Sequence, residues 1–427
     1  MLTTEQLYVH YLEHPHVQTD TRKIQQGDLF FALKGPHFNG NEFAEEALQK
    51  GAAWAVIDEP AHKNNQRCLL VPDVLTALQD LAAHHRRQFS IPFVAITGSN
   101  GKTTTKELAH AVLRTVYRTY ATEGNLNNHI GIPLTLLRIQ PGTEIALIEM
   151  GANHQKEIAS YCRMVQPTHG LITNVGKAHL EGFGGLEGVK KGKGELFDSL
   201  RAGGGTAFVC ADFPYFREMT TGLKAVCWYG TMPEPGLSVS GKVVQNTPYL
   251  IADLSYGNRV ATQLAGRYNL FNVLAAAAIG KFFKIPAQNV NQAIAGYRPE
   301  NARSQVIETG DNIFILDAYN ANPTSMQAAI SDFATRPERS KSLFLGAMME
   351  LGPESQAEHQ KLVDFITQFQ WEDVLLVGGD FSKVNHPYRY FPTVEQAKNW
   401  FSRQPYHNTI VLIKGSRTIG MERILEG

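Results

Sequence analysis

The stretch FVAITGSNGKTTTKELAHAVL, residues 93–113, carries the sharpest chemistry in the chain. An apolar run leads into Gly98, Ser99, Asn100, Gly101, Lys102, Thr103 and Thr104, and a helical pattern follows. Glycines let a backbone wrap a phosphate, and a helix N-terminus offers it unpaired N–H groups. In such a loop Lys102 reaches the terminal phosphates of ATP, and the Thr103 hydroxyl meets Mg²⁺. Ile96 stands where a GxxxxGK[ST] loop has its first glycine, so this loop belongs to a shorter class. Glu149 lies near the end of the apolar run IALIEM. A carboxylate at a strand end beside a phosphate loop is placed to hold Mg²⁺. His179, in ITNVGKAHLEGFG, is by type alone a metal ligand, a donor to substrate or, most simply, a satisfied core histidine. KKGKGELF, residues 190–197, reads by itself as a solvated basic turn.

These residues need a scaffold of buried strands. FVAIT, IALIEM, HGLITNV and TAFVCA are continuous apolar runs between helical stretches, the pattern of a parallel α/β sheet covered on both faces. Residues 225–265, rich in Gly, Pro and Thr, read as a more irregular, antiparallel piece, and 266–283 as a strongly apolar helix. NIFILDAY, SLFLGAM, DVLLVGG and TIVLIKG predict a second, smaller doubly wound unit. Ahead of these lies a small α/β unit. DLFFALKG reads as a strand ending at Gly35, 41–52 and 74–89 as helices, and AWAVID and CLLVPD as strands. His84 and His85 read as a solvated helix end. The expected fold is therefore α/β with three domains, at 1–88, 89–300 and 301–427.

Composition narrows the class. The chain has 427 residues, 43% of them hydrophobic and 19% charged, as in a folded globular protein. Forty basic residues balance forty acidic ones, so no global charge favours nucleic acid or a membrane surface. No apolar run approaches the ~18–20 residues that span a bilayer, and no secretory pattern opens the chain. Cys68, Cys162, Cys210 and Cys227 form no CxxC pair and are expected to be reduced thiols of a cytoplasmic protein.

TGSNGKTT, NLNNHIGIPLTLL, EMGAN, ITNVGKAHLEGFG, KGKGELF, YNLFN, DAYNANPTSM and KGSR occur in this order over nearly the whole chain. In this the chain resembles the Mur ligases of peptidoglycan assembly. The resemblance implies a UDP-binding N-terminal domain, a central ATPase domain and a Rossmann-like C-terminal domain. It also implies the substrates: DAYNANPTSM and DTRKIQQGDLFFALKG are similar to the members that join D-alanyl-D-alanine to UDP-N-acetylmuramoyl-tripeptide. By the same resemblance, His179 matches a metal-binding histidine and Lys193, with Lys191 as the second choice, a carbamylated lysine, whose carbamate oxygens suit a hard cation. Two Mg²⁺ ions are then expected, one at Thr103 and Glu149, the other at His179 and Lys193. Asn269 and Asn272 resemble the residues that read adenine; Tyr268 stands where the family usually has His. Arg303 resembles a linker arginine that reaches the phosphates, and Asp317 the acid that binds ribose. Tyr319, Asn320 and Asn322 match the dipeptide site, with Lys414, Ser416 and Arg417 lining the same cleft. Thr21 and Arg22 match the UDP region, where Asn39-Gly40-Asn41 replaces an acidic-Gly-His element. Asn125, Asn127 and Asn128 match contacts to the sugar–peptide substrate.

The implied reaction is ATP-driven amide formation through an acyl phosphate, by a monomer, with Lys102, Glu149, His179, Lys193 and Arg303 as its catalytic group. Domain closure is expected to carry Asp317 to the phosphate loop. The rivals are a ligase of the same superfamily with another acceptor, a P-loop hydrolase or phosphotransferase, and a nucleotide-gated binding protein.

Overall fold

The computed structural model describes residues 1–233, 235–256, 259–300, 302–337 and 340–426. Three main α/β sheets follow one another along the chain. The first holds four parallel strands, in the order Val17–Gln18, Leu29–Phe31, Trp54–Ile57 and Cys68–Leu70. DLFFALKG does not run on to Gly35 as one strand. The Leu33 N–H bonds to Phe31 O, which turns the chain into a small hairpin of Lys34–Gly35 with Phe38–Asn39.

The central sheet has nine strands. Phe93–Thr97 is wholly buried and lies between Ile145–Glu149 on one side and His169–Ile172 on the other, parallel to both. The chain thus leaves this strand in one direction and later returns in the other. Such a switch point opens a crevice at the carboxyl ends of the strands. Glu149 and the loop after Ile172 reach that crevice because they end the two neighbouring strands. Residues 225–265 are only partly antiparallel. Ala225–Gly230 joins the parallel sheet beside Thr206–Cys210, and only Val239–Gln245, Ile251–Leu254 and Arg259–Ala261 form an antiparallel arm.

The third sheet has six strands, in the order Gln305–Thr309, Asn312–Asp317, Ile410–Lys414, Lys341–Gly346, Asp373–Val377 and Arg389–Phe391. Only its first pair is antiparallel. The expected boundary at Asn301 lies outside the described residues.

The expected solvated end of helix Val74–Arg86 is instead packed. His85 is buried between Tyr8 and Tyr11, with its Nε2 2.9 Å from Ile139 O. Arg86 donates to Phe89 O, Val165 O and Gln166 O, and lies 3.6 Å over the Phe93 ring. The helix packs on Thr4–Glu13 and Gly131–Leu137, so its basic last turn faces protein. All four cysteines are free thiols. No helix of the described residues is long and apolar enough to cross a membrane.

Candidate active site

The loop after Phe93–Thr97 is held from below by the neighbouring strand end. Ser99 N donates to Asn174 O, Asn100 N to Asn174 Oδ1, and Thr173 Oγ1 to Asn100 O at 2.6 Å. Gly101 has a left-handed φ of +79°, and a Cβ there would come within 2.5 Å of Asn272 Oδ1. Glycine is therefore needed both for the turn and for the approach of helix Asn269–Phe282. Helix Lys102–Leu113 then starts without a side-chain cap, which leaves its first N–H groups for a ligand.

Lys102 Nζ lies against the loop carbonyls of Gly98 and Ser99, at 2.8 and 3.3 Å. Burial pushes its ammonium below the usual lysine range; Glu149 opposes that shift and Arg303 adds to it. Glu149 is 1% exposed. Its Oε1 accepts from Thr103 Oγ1 at 3.1 Å and Asn127 Nδ2 at 2.8 Å, while its Oε2 has no hydrogen-bond partner. A buried carboxylate oxygen left bare is costly without a cation. A hydroxyl and a carboxylate oxygen are donors of the kind Mg²⁺ takes.

A cavity of about 780 Å³ joins this loop to the third sheet. Of the residues singled out from sequence, Ser99, Asn100, Gly101, Lys102, Thr103, Thr104, Asn127, Asn128, Glu149 and His179 line it. So do Asn269, Asn272, Arg303, Asp317, Tyr319, Asn320 and Lys414. Asn269 and Asn272 are turned inward to protein. Asn269 Nδ2 donates to Ala265 O and Ser304 Oγ, and Asn272 Nδ2 to Asn269 Oδ1. Asp317 accepts from Lys414 Nζ at 2.6 Å and from Ser304 N at 3.2 Å. Parallel register sets Asp317 opposite Lys414, so the pairing follows from the sheet.

His179 and Lys193 depart from the readings made on residue type alone. His179 has a left-handed φ of +52° and lines the cavity, with Nδ1 2.5 Å from Glu350 Oε2. It is not a core histidine. KKGKGELF is no turn: it lies within helix Leu186–Gly203, and Lys193 is 1% exposed. Gly192 serves packing, since a Cβ there would run into the Phe183 ring. Lys193 Nζ donates to Ala152 O at 3.0 Å and lies 5.0 Å from the Phe183 ring centroid. Burial pushes its amine well below the usual range, and the nearby Lys102 charge adds to that.

Other expected residues stand apart from the cavity lining. Gly98 shapes the loop from below, at φ +137°. Thr21 and Arg22 lie in the first unit, where the Arg22 side chain is 85% exposed and forked onto Asp20. Asn125 is exposed. Asn128 Oδ1 accepts from Gly131 N, which makes it a turn residue as well as a lining one. Asn322 caps helix Pro323–Ala334, Ser416 Oγ accepts from Met349 N, and Arg417 is exposed outside the lining. Asn39 and Asn41 bond to Glu59 and Asp58 and so build the first unit. Glu350, Asn174 and Ser304 were missed in the sequence. Each acts through a neighbour distant in sequence; Asn174 lies within ITNVGKAHLEGFG, while no motif marks Glu350 or Ser304.

Comparison with known proteins agrees with this arrangement. Residues 15–86 match the Mur ligase family catalytic domain, 96–280 the Mur ligase middle domain and 302–417 the Mur ligase glutamate ligase domain. The chain is 33% identical to a UDP-N-acetylmuramoyl-tripeptide--D-alanyl-D-alanine ligase of Bacillus subtilis and 34% identical to that of Escherichia coli. In each case 96% of this chain and 92% of the relative are covered. The crystal structure of a MurF ligase from Thermotoga maritima in complex with ADP is similar at a TM-score of 0.86 and 26% identity, covering 97% of both chains.

Proposed function

The chain belongs to the Mur ligase family, and we propose that it joins D-alanyl-D-alanine to UDP-N-acetylmuramoyl-tripeptide in the cytoplasm. It is an ATP-dependent, ADP-forming amide ligase. The observation that carries the proposal is the shared cavity: one wall is the phosphate loop with Lys102 and Glu149, the other Arg303, Asp317, Tyr319 and Asn320. A hydrolase needs the first wall alone. The second leaves room for an acceptor beside the nucleotide.

In the reaction, a carboxylate oxygen of the tripeptide attacks the γ-phosphorus, and the bond to ADP breaks. The amine of the dipeptide then attacks the acyl carbon and expels phosphate. The chain's part is to position reactants and answer charge. The uncapped N–H groups of helix Lys102–Leu113 and the Lys102 ammonium face the phosphates. Arg303 adds positive charge from the opposite wall. Asp317 takes the ribose in this reading, with Lys414 Nζ bonded to its carboxylate. Asn269 and Asn272 shape the adenine end.

Thr103 and Glu149 are suited to hold one Mg²⁺, the bare Glu149 Oε2 being the donor that fits it. His179 and a carbamate on Lys193 would hold a second. A neutral lysine amine is the form that adds CO₂, and the depressed basicity of Lys193 supports that reaction. Bound there, the cations would neutralise charge on the reacting phosphate.

The test is phosphate release from ATP with each substrate omitted in turn. Release that needs both substrates, with a product heavier by one dipeptide, is expected. Release without the dipeptide would turn the reading to a hydrolase.

A further inference from the structure

Arg303 and Arg417 stand 114 positions apart in sequence yet stack on one ring. The Arg303 guanidinium carbon lies 3.5 Å from the Tyr319 ring centroid, and that of Arg417 lies 4.7 Å from it. Among the described residues neither guanidinium has a hydrogen bond or ion pair. This sets them apart from Lys414, whose charge is already answered by Asp317. Two unneutralised cations gathered on one ring repel each other, so the arrangement suits an anion between or beside them. Only Arg303 reaches the cavity lining; Arg417 lies outside it, on the same Tyr319 ring. The backbone fixes the ring: Tyr319 N donates to Ala302 O at 3.2 Å, which ties it to the residue before Arg303. The Tyr319 hydroxyl has no hydrogen bond to a described residue.

Resting on the ligase reading above, the geometry points to Tyr319 as a positioning residue. Its ring holds Arg303 toward the transferred phosphate and Arg417 toward the free carboxylate of the incoming dipeptide. A cation on an aromatic face keeps its charge and its donors, whereas a carboxylate partner would neutralise the charge and occupy the donors. The ring therefore orders both side chains without competing with the anions they are to meet.

The test is steady-state kinetics of the complete ligase reaction with Tyr319→Leu and Tyr319→Phe, each alone and with Arg303→Ala plus Arg417→Ala. Loss of the aromatic face in Tyr319→Leu is expected to lower kcat and raise the dipeptide KM, with kcat/KM falling about tenfold or more. Tyr319→Phe keeps the face and is expected to recover most of that loss. On the double-arginine background Tyr319→Leu is expected to add less than about twofold, because residues in contact couple. A loss in Tyr319→Phe as deep as in Tyr319→Leu would assign the effect to the hydroxyl and overturn the proposal. So would an undiminished Tyr319→Leu loss without the two arginines. Were the wild type to make no dipeptide adduct, the ligase reading would fail by itself. The Arg303 arm is then read separately, by titrating a non-hydrolysable ATP analogue without dipeptide. Weaker binding in Tyr319→Leu but not in Tyr319→Phe supports it, and equal binding in both overturns it.

Discussion

Asn322 Nδ2 donates to Asn100 Oδ1 at 2.7 Å, and Asn100 Nδ2 returns toward Asn322 Oδ1 at 3.5 Å. One asparagine belongs to the phosphate loop and the other caps a helix of the third unit, so this amide pair ties the two cavity walls together. Lys177, which bonds through Nζ to Glu358 and through its N–H to Thr324 Oγ1, adds a second tie nearby. The phosphate loop and Asp317 thus line one cavity in this structure. Asn322 Oδ1 also accepts from Ser325 N. Asn322→Ala is expected to lose about 1 kcal/mol of stability as a lost cap and to raise the KM for ATP. Asn100→Ala, which leaves the cap intact, should raise the same KM with little change in melting temperature. Nucleotide affinity unchanged from wild type in both variants would remove the tie from function.

Lys102→Met keeps length and apolar packing but removes the charge facing the phosphates. The expected loss in kcat is about 10²–10³-fold, the range for deleting one stabiliser of developing charge. Circular dichroism and melting temperature should stay near wild type. A variant with wild-type turnover would take Lys102 out of the reaction.

Glu149→Gln preserves acceptance from Thr103 and Asn127 but replaces the unpartnered Oε2 by a neutral amide. The Mg²⁺ concentration for half-maximal phosphate release should rise by roughly 10–100-fold, the scale of metal-site perturbations. Excess Mg²⁺ should restore part of the rate. An unchanged Mg²⁺ curve would place the ion elsewhere.

His169 supplies a pH dependence away from the site. It packs edge-on against Phe282 with ring centroids 5.2 Å apart, and burial pulls its imidazole from 6.5 down to about 4. The unfolded chain takes up this proton more readily than the folded one between those values. The stability contribution is therefore complete above pH 6.5 and is lost as the pH falls toward 4, by an amount of about 3 kcal/mol. His169→Phe retains the aromatic contacts and should flatten this acid limb in denaturant titrations at several pH values. The same slope in variant and wild type would contradict the assignment.

Arg86 joins the first unit to the central one through three carbonyls on two segments. Burial lowers its guanidinium to about 10, and its charge is answered by backbone dipoles and the Phe93 ring. Arg86→Leu leaves those carbonyls unpaired and should cost about 3 kcal/mol. Arg86→Lys cannot reproduce the fork and should recover little of it. Thermal unfolding measures both.

The linear pattern of residues 93–104 was enough to place a phosphate loop between a strand and a helix. Strand, glycine turn and helix start are local features, and each is set by backbone conformation and side-chain type within a few positions. The runs from NIFILDAY to TIVLIKG were legible for the same reason, since strands buried on both faces must be apolar throughout. The irregular arm at 225–265 was less so. Whether its first strand pairs parallel or antiparallel depends on a neighbour elsewhere in the chain, and its own residues carry no mark of that.

KKGKGELF shows the limit most clearly. Two glycines among lysines carry the local propensity of a turn, but at Gly192 the Phe183 ring leaves no room for a Cβ, and the stretch is helical. His85 and Arg86 likewise have the composition of a solvated helix end and are buried because other helices, Thr4–Glu13 and Gly131–Leu137 among them, cover this one. Residue type and spacing determined, from the chain alone, which groups are able to bind phosphate and metal. The tertiary structure decided which of them share one cavity, that Glu149 keeps a bare oxygen, and that Tyr319 gathers two arginines. Those outcomes depend on burial and on partners far apart in sequence, and desolvation and Coulomb energies exist only once the fold has brought the groups together.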